Sequence, residues 1–434
     1  MVLVPDFSSA RSGAGNSDAG VAYASGNSVA RSAGARLQEA IGLAHAINLD
    51  VVENGVVSLR SKRASTLFGK GKTEEIAGIV KAENVGLAIV DHSLSPVQQH
   101  NLEKAWHCKV LDRTGLILEI FGDRARTKEG RLQVELAQLN YQKGRLVRQW
   151  THLERQRGGL GKTGGPGETQ IEADRRQLQR RILRLEKELE KVKRTRLLHR
   201  SKRKRVPTPI VALVGYTNAG KSTLFNRLTN ANVLAKDLLF ATLDPTLREL
   251  SLPDGSDVIL SDTVGFVSDL PTTLVAAFRA TLEEVVEADL ILHVRDISDP
   301  ENAVQSQDVY AVLEQIGIGH ENMSRIVEVW NKMDLLSAEA AKLIQSTRSA
   351  ENAPVMVSAI TGQGTDELLD VIARKIGDED RVLDIRLGLK DLKDLSWVYE
   401  NAQVLNRQDN EDGTILMKIR VKRGRRQAFA KFAA

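Results

Sequence analysis

Apolar positions along the chain change period several times, and each change marks a region. From residue 36 to 127, short apolar runs alternate with helix-length stretches. Runs 50–59, 87–90 and 109–111 are predicted strands, and 36–48, 73–83, 95–106 and 114–121 are predicted helices. Such alternation predicts a small α/β domain with a mainly parallel sheet. Ser95 followed directly by Pro96 is a good helix opening. Next, Leu132, Leu136, Leu139, Leu146, Trp150 and Leu153 step by three and four, with polar Lys143 where the rhythm lacks an apolar residue. The rhythm resumes at Ile171, Leu178, Ile182, Leu185, Leu189 and Val192. Two narrow apolar seams joined by a short loop predict an antiparallel helical hairpin over residues 128–205.

The loop between the seams, Gly158-Gly159-Leu160-Gly161-Lys162-Thr163-Gly164-Gly165-Pro166-Gly167, holds six glycines in ten residues. A helix–helix turn needs fewer, so this tip is either a contact site, where backbone approaches a surface closely, or a merely flexible end. Val206-Pro207-Thr208-Pro209 ends the second helix and reads as a linker. Residues 206–376 contain several buried-strand runs. Residues 377–434 read as a small α+β module, with a strand at 382–387, a helix at 392–401, two strands around Asp412-Gly413, and a basic helix at 423–432. Residues 1–35 are rich in Ser, Gly and Ala and are predicted to be a disordered tail.

A length of 434 residues exceeds what one core supports and predicts two to four domains. No apolar run reaches the roughly 18 residues of a membrane helix, and the first residues lack the layout of a secretory signal. The single cysteine, Cys108, excludes an internal disulfide and a cysteine metal cluster, and fits a reducing cytoplasm. Net charge is +5, but residues 171–205 alone hold 15 Lys+Arg against 5 Asp+Glu, so the remainder of the chain is net negative. A basic block of this kind is either a solvated helix face or a site for a polyanion.

The run Ile210-Val211-Ala212-Leu213-Val214 leads into Gly215-Tyr216-Thr217-Asn218-Ala219-Gly220-Lys221-Ser222. This is a phosphate loop in its strand–loop–helix setting: backbone N–H groups wrap phosphates, Lys221 neutralises β/γ oxygens and Ser222 meets magnesium. A second buried strand ends in Asp262-Thr263-Val264-Gly265. Asp262 would hold Mg²⁺ directly or through water, and the Gly265 N–H would meet the γ-phosphate. Asn331-Lys332-Met333-Asp334 selects the base, because the Asp334 carboxylate accepts from the ring N–H and amino group of guanine, a donor pair adenine lacks. Ser358-Ala359-Ile360 fits the last base-contacting turn. Four elements in this order imply GTP binding and hydrolysis, with Lys221, Gly265 and one threonine as the catalytic group. On residue type, both Thr242 and Thr246 could be that threonine of the first switch. Ras-like enzymes place a water-orienting glutamine where this chain has Phe266, which implies slow intrinsic hydrolysis and a partner that completes the site.

Residues 37–376 resemble the HflX family of ribosome-associated GTPases. Outside the nucleotide motifs the resemblance rests on Asp91-His92-Ser93-Leu94-Ser95-Pro96-Val97-Gln98-Gln99-His100-Asn101-Leu102-Glu103, Asp112-Arg113-Thr114, Ile120-Phe121-Gly122-Asp123-Arg124-Ala125 and Gln133-Val134-Glu135-Leu136-Ala137-Gln138-Leu139. It rests further on the glycine-rich loop with Glu168 and on Asp174-Arg175-Arg176. Phe240-Ala241-Thr242-Leu243-Asp244 matches the family's first switch, which implies Thr242 as the metal ligand beside Ser222. The resemblance implies an N-terminal α/β domain joined by a helical hairpin to a Ras-like domain. It implies binding to the large ribosomal subunit, with stimulated GTP hydrolysis, in splitting or rescue of ribosomes under stress. The basic hairpin and its tip would reach rRNA. The chain departs from the family's usual residues at Arg295, at Leu270-Pro271-Thr272 and at Phe68.

A monomer in the cytoplasm is expected. The alternative is a regulatory GTPase on a protein or membrane surface, peripherally associated, although the narrow seam argues against a membrane face. An ATP-driven RNA-remodelling enzyme conflicts with Asp334. Gly69-Lys70-Gly71-Lys72 lacks full phosphate-loop spacing and reads as a βα turn rather than a second nucleotide site.

Overall fold

The computed structural model describes residues 1–7, 31–156, 166–203, 208–231, 239–268, 279–337, 353–377, 381–410, 413–421, 429 and 432. The tip at 158–165, the linker residues Val206 and Pro207, Leu270-Pro271-Thr272, and most of the basic helix at 423–432 lie outside the described residues.

The N-terminal sheet is all parallel, in the order β2-β1-β3-β4, and is built from β1 (Val2–Asp6), β2 (Asn54–Ser58), β3 (Leu87–Val90) and β4 (Lys109–Asp112). Four helices connect and cover it: α1 (Ala33–Ala46), α2 (Lys70–Ala82), α3 (Pro96–Trp106) and α4 (Arg113–Arg124). The expectation of a disordered tail over 1–35 fails at its first residues. Val2–Asp6 is an inner strand, and Val2 and Val4 are fully buried. Its Pro5 lies beyond the ladder with β3, which covers only Val2 and Leu3, so the missing N–H costs nothing there. A five-residue strand followed by a Ser/Gly-rich stretch has no periodicity of its own, and burial between two neighbours decides it. The expectation fails at its far end too, where Ser32 caps α1 and Ala33, Gly34 and Ala35 are helical; residues 8–30 are not described.

Helix starts also shift. α1 opens three residues early because the Ser32 hydroxyl accepts from the Ala35 N–H, and α2 opens at Lys70, so the Gly-Lys-Gly-Lys element forms a helical first turn. Ser95 and Gln98 form the reciprocal capping box of α3.

The helices α5 (Lys128–Gln156) and α6 (Pro166–Arg203) form the hairpin. Leu132, Leu139, Ile182 and Leu185 are its buried seam, flanked by Leu136, Leu178, Leu189 and Val192. Lys143, the polar member, reaches across to Gln179 Oε1 at 2.5 Å.

A six-stranded sheet in the order β10-β9-β8-β5-β7-β6 follows, parallel except for β6. Its strands are β5 (Ile210–Gly215), β6 (Thr246–Ser251), β7 (Asp257–Asp262), β8 (Leu290–Asp296), β9 (Ile326–Asn331) and β10 (Val355–Met356). Its helices are α7 (Lys221–Thr229), α8 (Arg279–Val286), α9 (Asn302–Gln315) and α10 (Thr365–Gly377). One core cluster lies on α7 and α10, with Leu224, Phe225, Leu368 and Ile372. The cluster on the opposite face runs on into the N-terminal domain, joining Phe240, Val264, Phe266 and Leu282 to Leu43 and Phe121. The two domains therefore share one apolar core. The chain ends in an antiparallel sheet, β11 (Arg381–Leu387), β13 (Ile415–Val421) and β12 (Gln403–Asp409), with β13 central, beside α11 (Leu395–Asn401). Among the described residues no helix is long and apolar enough to cross a membrane.

Candidate functional site

β5 is central in its sheet, with β7 on one side and β8 on the other, so strand order reverses at its carboxyl end and opens a crevice there. Gly220 ends the loop at φ +87°, and a Cβ there would strike the Asn331 side chain, so this position demands glycine. α7 starts at Lys221 without a side-chain cap, leaving its first N–H groups for a ligand. Thr217, Asn218, Gly220, Lys221, Ser222, Ala241, Thr242, Thr263 and Gly265 line the resulting cleft.

Lys221 is folded into the loop, its Nζ donating to the carbonyls of Gly215 (3.1 Å) and Tyr216 (2.8 Å). Burial pushes its ammonium down to about 8, against the pull of the Asp262 carboxylate. Phosphate oxygens would supply the counter-charge this lysine lacks.

Beside it, Ser222 Oγ donates to Asp262 Oδ2 at 2.7 Å and lies 2.9 Å from Thr242 Oγ1. Thr242 Oγ1 reaches the same Oδ2 at 3.0 Å. Asp262 is fully buried and its Oδ1 has no hydrogen-bond partner among the described residues. Burial drives the Asp262 carboxyl up, against the hydrogen bond from Ser222 and the charge of Lys221. Two hydroxyls and a carboxylate with a spare buried oxygen make an all-oxygen donor set, which suits a hard divalent cation and so fits the expected Mg²⁺. The other threonine of this segment, Thr246, is taken up in β6 opposite Asp262.

In the second switch, the Thr263 hydroxyl donates to Leu213 O at 2.5 Å and Val264 is buried. The backbone of Phe266 is tied to the phosphate loop, with Thr217 N donating to Phe266 O (2.7 Å) and Phe266 N to Gly215 O (3.1 Å). Its ring is 1% exposed in the shared core. A side chain in that orientation cannot address a water in the cleft.

On the base side, Asn331 is the mechanical link. Its Nδ2 donates to Ala219 O (2.9 Å) and its Oδ1 accepts from Ala359 N (3.0 Å), joining the phosphate loop to the turn at Ser358. Lys332 adopts φ 63° and its Nζ sits 2.7 Å from Asp296 Oδ2; Met333 N donates to Val357 O at 3.3 Å. Buried Ser358 accepts from Thr361 N, and Ile360 is exposed while its carbonyl accepts from Arg227. Asp334 is exposed and has no polar partner among the described residues.

Several residues expected at the nucleotide send their side chains elsewhere. Phe240 and Leu243 are buried in the shared core, and the Asp244 carboxylate is bonded to the start of α5. Tyr216 likewise turns its hydroxyl away from the cleft, into an interdomain network. The Tyr216 hydroxyl donates to Glu39, accepts from Arg31 (2.7 Å) and accepts from Ser268 N (2.8 Å). Glu39 is also bonded by Arg113 and Arg31, while Arg113 holds Asp91 Oδ1 (2.5 Å) and Ser268 O (3.0 Å). Arg31 completes the cluster through Glu301 at 2.7 Å. Burial would raise the Glu39 carboxyl, but the two guanidiniums outweigh it and hold it below the usual carboxylate range.

This buried interdomain network was not foreseen. The one local signal was a glutamate beside Ala40 and Leu43 on the apolar face of α1; its partners Arg113 and Tyr216 lie 74 and 177 residues away in sequence. Much of the family signature outside the nucleotide motifs is structural. Asp112 caps α4 at Gly115 N and accepts from Tyr141 and Arg145, Gln99 holds Val110 O, and Asn101 holds Ser65 O.

Four family models match in succession: "GTP-binding GTPase N-terminal" over residues 34–122, "GTP-binding GTPase Middle Region" over 124–203, "50S ribosome-binding GTPase" over 210–332 and "HflX C-terminal domain" over 342–430. The chain is 49% identical over 381 residues to GTPase HflX of Magnetococcus marinus, covering 88% of this chain and 87% of the relative. It is 44% identical over 387 residues to GTPase HflX of Escherichia coli, covering 89% of each. A GTP-binding protein from Sulfolobus solfataricus, solved in complex with GDP, matches with TM-score 0.42 and 25% identity, over 78% of this chain and 94% of that one.

Proposed function

The chain belongs to the HflX family of GTPases, P-loop hydrolases of GTP, and on that premise we propose that its GTP-loaded form binds the large ribosomal subunit, which then stimulates hydrolysis. In this reading it splits or rescues ribosomes, or assists their assembly, under stress. α6 supports it with one solvent face carrying exposed Arg180, Lys187 and Lys191, while the apolar seam is already used by α5. Lys and Arg arrayed on a helix offset backbone phosphates and release counterions.

In the mechanism we infer, Lys221 and the N–H groups at the start of α7 hold the β- and γ-phosphates, and Asp334 reads guanine. Ser222, Thr242 and Asp262 would hold Mg²⁺, which when bound neutralises charge that develops between the β- and γ-phosphates. Gly265 N–H reports the γ-phosphate to the second switch. The observation that carries the partner requirement is the burial of Phe266, whose side chain stands in the shared core and cannot orient the attacking water.

Single-turnover GTP hydrolysis, with and without purified large subunits, tests the proposal. A slow rate that the subunits raise by orders of magnitude is expected, as is salt-sensitive cosedimentation strongest with a non-hydrolysable GTP analogue. An intrinsic rate already fast and unmoved by subunits refutes it.

A further inference from the structure

The first turn of α5 is capped by a residue of another domain. Thr127 is the cap: its hydroxyl oxygen accepts from Gly130 N at 2.9 Å. In a capping box the side chain three residues on, glutamate or glutamine, bonds back to the cap's own N–H. Here that residue is Gly130, which has no side chain. Asp244 takes its place: Oδ2 accepts from the N–H groups of Arg126 and Thr127, each at 2.9 Å, and Oδ1 accepts from the Thr127 hydroxyl at 2.6 Å. A Cβ on residue 130 would lie 2.5 Å from Asp244 Oδ1, so the glycine keeps open the space the carboxylate occupies.

Asp244 stands two residues beyond Thr242, whose Oγ1 lies 2.9 Å from Ser222 Oγ and 3.0 Å from Asp262 Oδ2. The other end of this short segment is also anchored in the N-terminal domain. Phe240 has φ 56°, an unfavourable backbone for an aromatic residue, and its ring meets Phe121 edge-on at 4.7 Å. Thr242 is thus held between two anchors, and both belong to the domain that carries the hairpin.

We propose that Asp244 is a positioning residue, whose docking on the α5 cap holds Thr242 where the metal and γ-phosphate require it. By linkage, a γ-phosphate that engages Thr242 tightens the cap, so nucleotide state sets the order of the hairpin's first turn. The inference rests on the reading above that Thr242 serves the GTP-bound site. The bland alternative is a static helix cap, indifferent to nucleotide.

Gly130→Ala discriminates. Position 130 is helical with no positive φ, so alanine there suits the helix backbone. The same methyl displaces the Asp244 carboxylate. In the full-length protein, amide exchange at residues 126–131 is compared between GDP and a non-hydrolysable GTP analogue, and the affinity for each is measured in wild type, Gly130→Ala, Asp244→Ala, Thr242→Ala and the Gly130→Ala/Asp244→Ala double variant. We expect slower exchange with the analogue in wild type. Gly130→Ala and Asp244→Ala should each weaken the analogue about three- to tenfold, the range a lost cap allows, with GDP within about twofold. The double variant should be no weaker than Asp244→Ala, because the carboxylate that the methyl would strike is gone and the remaining neighbour, Thr127 Oγ1, lies at 3.0 Å. Equal exchange in the two states, or a Gly130→Ala protein that holds the analogue as tightly as wild type, overturns the proposal. If Thr242→Ala itself leaves analogue affinity unchanged, the underlying reading of the site fails instead.

Discussion

Replacing Glu39 by glutamine should loosen the N-terminal domain from the GTPase domain. The Glu39 side chain is 5% exposed and bridges Arg113, Arg31, Tyr216 and Ser268. Removing one member of a buried ion pair costs about 3–5 kcal/mol, because the partner charge is left without compensation. Two facts place this case at the lower edge. Arg113 keeps Asp91 and Arg31 keeps Glu301, and glutamine preserves the volume and one acceptor oxygen. Its amide N–H₂, however, now faces guanidinium donors. A loss of about 3 kcal/mol is expected. With a urea slope of about 1–3 kcal/mol/M for a domain of this size, the midpoint should fall by about 1–3 M. The four tryptophans, Trp106, Trp150, Trp330 and Trp397, fall in four different parts of the fold. Retaining only Trp106, buried in the N-terminal domain, makes fluorescence report that domain alone. A midpoint shift below about 0.3 M would mean that the network does not bind the domains together, and the shared interface described above would be wrong.

The same carboxyl predicts an acid arm. Its folded value lies below the ordinary 4.5, so its contribution is fully present above that value and is lost as pH falls through the lower folded one. In the Trp106-only protein, the Glu39 contribution should be constant between pH 5 and 8, with Glu39→Gln removing part of the decline below about 4.5; parallel curves for the two proteins would refute it. Phe266→Gln should not restore a water-orienting group. It places an amide in the shared core and is expected to cost about 3–5 kcal/mol of stability, with no gain in single-turnover hydrolysis. A stable, faster variant would show that residue 266 can face the cleft.

The nucleotide motifs were legible in the sequence because each is local: a glycine-rich turn, a strand-end aspartate or a base-reading loop needs only neighbours in the chain to state its chemistry. The hairpin seams were legible for a similar reason, since helical period repeats along one segment. The start of the chain was not, because so short a run forms a strand only when β2 and β3 lie on either side. Tyr216 and Asp244 show the other limit. Both sit inside motifs that point to the nucleotide, yet their side chains bond to Glu39 and to Thr127, more than a hundred residues away. Sequence alone thus determined which groups can grip a guanine nucleotide, since that chemistry is written in short stretches. Only the tertiary structure decided how the switches are tied to the N-terminal domain, because buried ion pairs and a borrowed helix cap depend on where distant segments meet.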